Sequence, residues 1–334
     1  MISIGQLFYT LVYQIFYYLC GGKAILHDIV YRRFNKFELP NRKEDVAVIT
    51  GGGRGIGFHV VNKLLASNMK VIIGCRNVDQ VKKKFNSEDN LEVLHLDMKS
   101  LESVYTFAKV VRDKYPAINV LVNNAGVMFV PYELTKDGVE CHLAVNYLSH
   151  FFLSLLLLPT LIKGGTRESK SRIVNVTSCA HEVSPRIDFS DLNMSKAYIA
   201  NAAYARSKLA QILSTKRLAA LFQQHCPTVD IVSVHPGIVD TELFNGTILK
   251  VTAPWVLRYI CKSPEQGATT VSHACLGPLD TEGVNNSLYY SNCRQDTPHP
   301  MCDNLATQQT LLAASLTSLK QYYDDIPVFL REFM

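Results

Sequence analysis

DVAVITGGGRGIG, Asp45 to Gly57, is the stretch whose reading decides the fold. Val46 to Thr50 is a short apolar run of the kind that is buried as a strand. It passes directly into the glycine-rich Thr50–Gly57 turn, and Phe58, Val61, Leu64 and Leu65 then recur at helical spacing. Strand, glycine turn and helix in that order make a cradle for phosphate. Glycine lets the backbone approach an anion closely, and the helix N-terminus offers unpaired N–H groups and positive dipole. The predicted fold class is therefore α/β, a Rossmann-type doubly wound parallel sheet.

Further along, Tyr204 and Lys208 are written YARSK at the head of another apolar-periodic segment. Four positions apart on a helix, they lie on one face, about 6 Å apart along the axis. A phenol with a pKa of about 10 is a weak acid near neutrality, and a neighbouring ammonium favours its phenolate. The spacing thus predicts a proton donor whose pKa Lys208 pulls down.

The glycine spacing is TGxxxGIG, with Gly51, Gly55 and Gly57 at the diagnostic positions. Together with NNAG at Asn123 to Gly126 and YxxxK at Tyr204 to Lys208, it resembles the short-chain dehydrogenase/reductase family, in order and spacing from Val46 to about Tyr290. The overall pattern looks most like the retinol-dehydrogenase branch and the X-linked dehydrogenase/reductase group close to it. The resemblance implies a nicotinamide cofactor held by Gly51, Gly53, Arg54, Gly55, Ile56 and Gly57 of the turn, with Ala125 of NNAG beside it. Asn123 would hold the central sheet and line the adenosine ribose, and Asp97, at the end of the Leu91–Leu96 strand, would contact the adenine. Asp97 or Ser100 can equally cap the helix that follows.

The second strand, Lys70 to Gly74, ends in Cys75-Arg76, where an NAD-preferring fold places a carboxylate on the ribose hydroxyl. Arg76 offers instead a planar donor fork suited to a 2′-phosphate, and Arg54 offers a second positive contact. The expected cofactor is NADP(H).

The resemblance also assigns the chemistry. Asn146 matches the asparagine that kinks its helix and holds a proton-relay water. Ser178, ending the strand Arg172 to Thr177, matches the serine that hydrogen-bonds the substrate oxygen. Tyr204 donates the proton, while Lys208 lowers its pKa and binds the nicotinamide ribose. HPGIVDTEL, His235 to Leu243, places Pro236, Gly237 and Val239 near the nicotinamide, with Thr241 on its carboxamide. His235 is expected to make a turn hydrogen bond rather than to act as acid or base.

Ile2 to Leu19 holds no charged side chain over 18 residues. As a helix it would reach about 27 Å, just short of a hydrocarbon core of roughly 30 Å. Gln6, Thr10, Gln14, Tyr13 and Tyr17 form a wetter stripe, fit for a partner helix or an interface. No basic residue precedes the run and no clean cleavage site follows it, so it reads as a retained anchor, single-pass or hairpin-like. Lys23, Arg32, Arg33, Lys36, Arg42 and Lys43 follow, which puts the body in the cytosol. The resulting organisation is an anchor over 1–22, a basic linker over 23–43, one catalytic domain over 44–303, and a C-terminal helix and tail over 304–334. With the resemblance, this implies an endoplasmic reticulum membrane or lipid-droplet surface.

The 334 residues, 48% hydrophobic, suffice for one large core after the anchor. The net charge of +5 is modest and gathers after the anchor, where anionic lipid accounts for it better than nucleic acid. Nine scattered cysteines without a CxxC pair indicate neither a disulfide framework nor a metal site, and Cys179 reads as a packing residue. Gly246 to Ile260, with the single tryptophan Trp255, is the expected cover over a hydrophobic substrate. Retinoid or polyisoprenoid alcohols and their carbonyls lead. A steroid, or a non-catalytic NADPH-binding scaffold, are the alternatives, and a homodimer through the helices of Asn146 and Tyr204 follows by analogy alone.

Overall fold

The computed structural model describes residues 4–85, 88–240, 260–279 and 287–334. Its centre is a sheet of eight strands in the order β3-β2-β1-β4-β5-β6-β7-β8. These are β1 Val46–Thr50, β2 Lys70–Cys75, β3 Leu91–His95, β4 Val120–Asn123, β5 Ser171–Val176, β6 Val229–His235, β7 Tyr289–Ser291 and β8 Arg294–Gln295. All pairings are parallel except β7 with β8. The strands of such a sheet are covered on both faces and read as continuous apolar runs. Val48, Ile49, Ile72, Ile73, Leu121, Val122, Ile173 and Val174 are all fully buried.

The connecting helices are α2 Gly55–Ala66, α3 Val78–Lys84, α4 Leu101–Lys114, α5 Ser149–Gly164, α6 Ala200–His225 and α7 Pro264–Leu276. On one face α2 packs with α7; elsewhere α4 packs with α5, and α6 with the C-terminal helix α8, Leu305–Ser318. The strand order reverses between β1 and β4, so a crevice opens at the carboxyl ends of those strands, the ligand position of doubly wound sheets. Leu143–Gly164 is the one helical stretch among the described residues long and apolar enough to cross a membrane, and 89% of its most apolar 18-residue window is buried. It is a core helix.

Three local readings change in the fold. The first helix, α1, runs Ile4–Tyr31 without a break, so the stretch read as a basic linker from residue 23 begins as helix. The residues after α8 are not a loose tail: Leu319, Ile326 and Leu330 are buried in the main core. The wet stripe on α1 has its partner within the chain. Tyr13 donates to Val183 O (3.0 Å), Asn201 Nδ2 donates to Gln14 Oε1 (2.9 Å), and Tyr17 packs on Phe129.

Candidate active site

Thr50, at the last position of β1, organises the crevice. Its Oγ1 accepts from the N–H groups of Asn124 (3.0 Å) and Ala125 (2.9 Å), tying the loop after β4 to the glycine turn. His150 Nδ1 donates to Asn146 O (3.1 Å), which leaves Nε2 to accept from Thr50 Oγ1 at 2.8 Å. Burial pushes the His150 pKa down to about 3, so the ring is neutral and that tautomer is fixed.

The turn itself needs its glycines. Gly51 and Gly55 have φ of 70° and 53°, a region costly for other residues. A Cβ on Gly57 would lie 2.4 Å from Gly51 O, which no side-chain movement relieves. Such a close, side-chain-free backbone turn at the start of α2 leaves a place at a helix N-terminus that suits an anionic group, and the diphosphate of a dinucleotide fits that chemistry. Gly51, Gly53, Arg54, Gly55, Ile56, Gly57, Arg76, Asp97, Ala125, Pro236, Gly237 and Val239 all line one cavity of about 720 Å³, with Ser178, Tyr204 and Lys208.

Two residues from the same reading sit elsewhere. Asn123 is fully buried and its Nδ2 donates to Ser154 Oγ and Asn175 Oδ1, so it braces the sheet and does not line the cavity; Asn124 takes the lining place. Asn146 is also buried, behind the wall. It lies in a π-helical turn, Leu143–Leu148, accepts from Val127 N–H (2.9 Å), and donates to Val127 O (3.0 Å) and Ser207 Oγ (2.9 Å). Asp97 does line the cavity, its Oδ1 accepting from Lys99 N–H, while Ser100 caps α4 by accepting from Ser103 N–H. Thr241 and the cover Gly246 to Tyr259, with Trp255, lie outside the described residues.

Tyr204 is 5% exposed in the first turns of α6, and it lines the cavity together with Ser178. Burial raises the Tyr204 pKa well above the ordinary range, against the smaller downward pull of Ser178. The expected lowering by Lys208 is therefore not realised. Lys208 Nζ instead donates to Val176 O (2.9 Å) and Gln211 Oε1 (3.0 Å), and burial brings its own pKa down to about 7. Both groups are desolvated together, and desolvation disfavours charge on each.

The turn after β6 is clamped from behind. Gly237 has φ 96°, and a Cβ there would lie 2.6 Å from Asp28 Oδ2. That carboxylate, carried by α1, accepts from Ile238 N–H (2.9 Å) and pairs with Lys262 (3.0 Å). Lys262 also donates to Asn292 Oδ1 (2.7 Å) and Pro236 O (3.3 Å). Burial pushes the Asp28 carboxyl up, but the Lys262 ammonium and the Ile238 N–H hold it below its usual range. His235 makes no turn hydrogen bond: both ring nitrogens are buried without a partner, and burial lowers its pKa to about 3. It stays neutral.

Sequence reasoning missed part of the lining. Tyr17, Tyr18, Cys20, Gly21, Gly22 and Ile25 of α1 face the cavity, and so do Lys84 and Lys99 near Arg76. The spacing of Tyr13, Tyr17, Cys20, Ala24 and Asp28 along α1 was the available signal for an inward face. Among the described residues no cluster of His, Cys, Asp or Glu could hold a metal ion.

A family model described as short chain dehydrogenase matches residues 45–250. Polyprenol dehydrogenase of Homo sapiens is 35% identical over 306 residues, covering 87% of this chain and 91% of that protein. Retinol dehydrogenase 11 of Homo sapiens is 38% identical over 264 residues, covering 77% and 79%. Among solved structures, an uncharacterized protein from Mycobacterium Paratuberculosis superposes with a TM-score of 0.67 at 27% identity, over 85% of this chain and 96% of that one.

Proposed function

The chain belongs to the short-chain dehydrogenase/reductase family, in its retinol-dehydrogenase-like branch, and from that premise we propose an NADP(H)-dependent oxidoreductase that interconverts a long apolar alcohol and its aldehyde or ketone. The observation that carries this is convergence. A phosphate cradle, a serine–tyrosine pair and a buried lysine open into one cavity.

Arg54, Arg76, Lys84 and Lys99 line that cavity, with Lys99 paired to Glu133 and Lys84 donating to Gly53 O. Arg76, directly after β2, and Arg54, in the glycine turn, favour a cofactor with the additional 2′-phosphate over one without it. The relatives' names put isoprenoid alcohols first among substrates, in particular polyprenol and retinol.

When bound, the nicotinamide supplies hydride to the substrate carbon or takes it away. Ser178 and Tyr204 grip the carbonyl oxygen, and Tyr204 gives its proton as negative charge develops there. The raised pKa of Tyr204 keeps the phenol protonated until that moment. Lys208, when charged, stabilises the phenolate that remains. Asn146 fixes the Val127 wall beside the pair, along which water returns the proton. Oxidation runs the same steps backward.

The N-terminal helix has two faces. Tyr13, Cys20, Ala24 and Asp28 are buried against the domain, while Phe8, Leu11, Ile15, Phe16, Leu19, Leu26 and Ile29 are exposed. A helix packed on a polar domain along one side is not ringed by lipid, so we infer that α1 lies in the membrane interface with its outer face in the acyl boundary. Arg32, Arg33 and Lys36 then meet anionic headgroups, on the cytosolic face of the endoplasmic reticulum. Within the single chain 12 of 16 residues in α5 and 19 of 26 in α6 are buried, so a homodimer through these helices would use the residues left uncovered.

The test is oxidation of NADPH and of NADH by detergent-solubilised protein with retinal, long polyisoprenoid aldehydes and ketosteroids. Turnover of the isoprenoid aldehydes with NADPH is expected. Tight NADPH binding without hydride transfer to any of them would replace the reading with that of a cofactor-binding scaffold.

A further inference from the structure

About two-thirds of the way along α1, two glycines stand side by side where no described neighbour crowds a side chain. Among the described residues a Cβ built on Gly21 or Gly22 meets nothing within 4 Å, whereas one on Gly57 or Gly164 would strike backbone. Within a helix each glycine costs about 1 kcal/mol relative to alanine. Both glycines line the reaction cavity. What they provide is room.

Next to that room a series of rings leads to the acid. Tyr17, one turn before Gly21, meets Phe129 edge-on at 5.6 Å, and Phe129 meets Tyr204 edge-on at 6.0 Å. Tyr17, Met128 and Phe129 pack around one small cluster of Ala180, Tyr204 and Ala205. Phe129 is held at φ 57°, a left-handed conformation that costs a bulky residue roughly 1–3 kcal/mol and persists only where surroundings enforce it. The ring is thereby kept between the α1 tyrosine and the catalytic one.

We propose that α1 is a wall of the substrate chamber, and that Tyr17, Gly21 and Gly22 set its width for a single slender apolar chain. This deepens the function proposed above and rests on it. Without side chains, Gly21 and Gly22 leave a groove in the cavity wall beside α1. A linear isoprenoid chain suits it better than a flat fused-ring system. The aromatic edges of Tyr17 and Phe129 present apolar surface to the chain while Ser178 and Tyr204 take its oxygen. The same helix that meets the membrane on its outer face guides the substrate on its inner one.

The experiment uses the full chain in detergent. Gly21→Leu fills the groove and gains helix propensity, so folding and the thermal midpoint are expected to hold. NADPH affinity, read by fluorescence titration, is expected to stay within about twofold of wild type, while kcat/KM for a long polyisoprenoid aldehyde falls about tenfold or more. Tyr17→Ala is expected to raise the ratio of kcat/KM for a ketosteroid over that for the linear aldehyde by about tenfold, and Tyr17→Phe to keep the wild-type ratio. Independently of turnover, a diazirine-bearing polyisoprenoid alcohol should label the peptide containing Tyr17, and excess unlabelled alcohol should suppress that label. Wild-type kinetics in a folded, NADPH-binding Gly21→Leu protein would overturn the proposal, and so would labelling that avoids α1. Labelling of α1 in a protein that reduces no carbonyl would leave the chamber standing and remove the oxidoreductase reading.

Discussion

Lys208 Nζ stands 5.9 Å from the centre of the Tyr204 ring and spends its hydrogen bonds on Val176 O and Gln211. Both side chains are buried at the wall of the cavity, and burial disfavours the charged form of each. The lysine is therefore the member that titrates near neutrality.

Carbonyl reduction should follow that titration. With its pKa lowered to about 7, Lys208 is charged below that pH and neutral above it, so its support for the developing phenolate fades as pH rises. The value of kcat/KM for NADPH, which reports groups of the free enzyme, is expected to fall above about pH 7. Lys208→Arg, whose guanidinium stays charged, should flatten the fall at a lower plateau. Tyr204→Phe should reduce the hydride-transfer rate by about two to four orders of magnitude in single-turnover measurements, with NADPH affinity retained.

Cofactor choice should turn on Arg76, which lines the cavity at the end of β2 beside Cys75. Arg76→Asp places a carboxylate where the 2′-phosphate would lie. Losing a charged hydrogen bond of about 1.5–3 kcal/mol corresponds to a loss of roughly ten- to a hundredfold in NADPH affinity. NADH affinity should be unchanged or improved. Equal loss for both cofactors by calorimetric titration would contradict the assignment.

Asp28 should matter to stability and to the cofactor together. Its carboxylate is the buried counter-charge of Lys262 and the acceptor for Ile238 N–H. Asp28→Leu leaves that ammonium uncompensated, at a cost of about 3–5 kcal/mol. A large drop in the thermal midpoint and weaker NADPH binding are expected, the latter because the Pro236–Gly237 turn loses its backing.

Acid should destabilise the fold through its buried imidazoles. His150 and His235 are held neutral with pKa values of about 3, while in the unfolded chain each takes up a proton near pH 6.5. Below that pH the unfolded state binds more protons, so their contribution is intact above about 6.5 and is lost progressively as pH falls toward 3. Thermal midpoints measured from pH 7 to 5 are expected to decline. His235→Leu removes a ring whose nitrogens have no partners, so it should shallow the decline at little cost at pH 7. An unchanged slope would show that other groups carry the acid sensitivity.

Much of the site was written in local patterns. The Gly51, Gly55 and Gly57 spacing encodes a turn whose geometry depends on neighbours only a few residues away, and Arg76 follows β2 directly. Asn123 was half legible. Its motif marks the end of β4, but whether the side chain faces cofactor or core depends on Ser154 and Asn175, far off in the chain. His235 was misread for a similar reason: a hydrogen bond needs a partner at hand, and the fold supplies none to either nitrogen.

The sequence by itself determined the doubly wound sheet, the glycine turn after β1 and the placing of Tyr204 and Lys208 on one helix face, because strand burial, glycine conformation and helical spacing act over short range. Only the tertiary structure decided the charge state of Tyr204 and Lys208 and the place of α1. Charge state follows from how completely distant elements exclude water from the pair. The role of α1 follows from docking across the whole length of the chain: Asp28 reaches the turn at Ile238 and also hydrogen-bonds with Asn292. A hydropathy pattern records that Tyr17 and Gly21 belong to an apolar helix. That they face Tyr204 across a cavity depends on which side of that helix the folded domain covers.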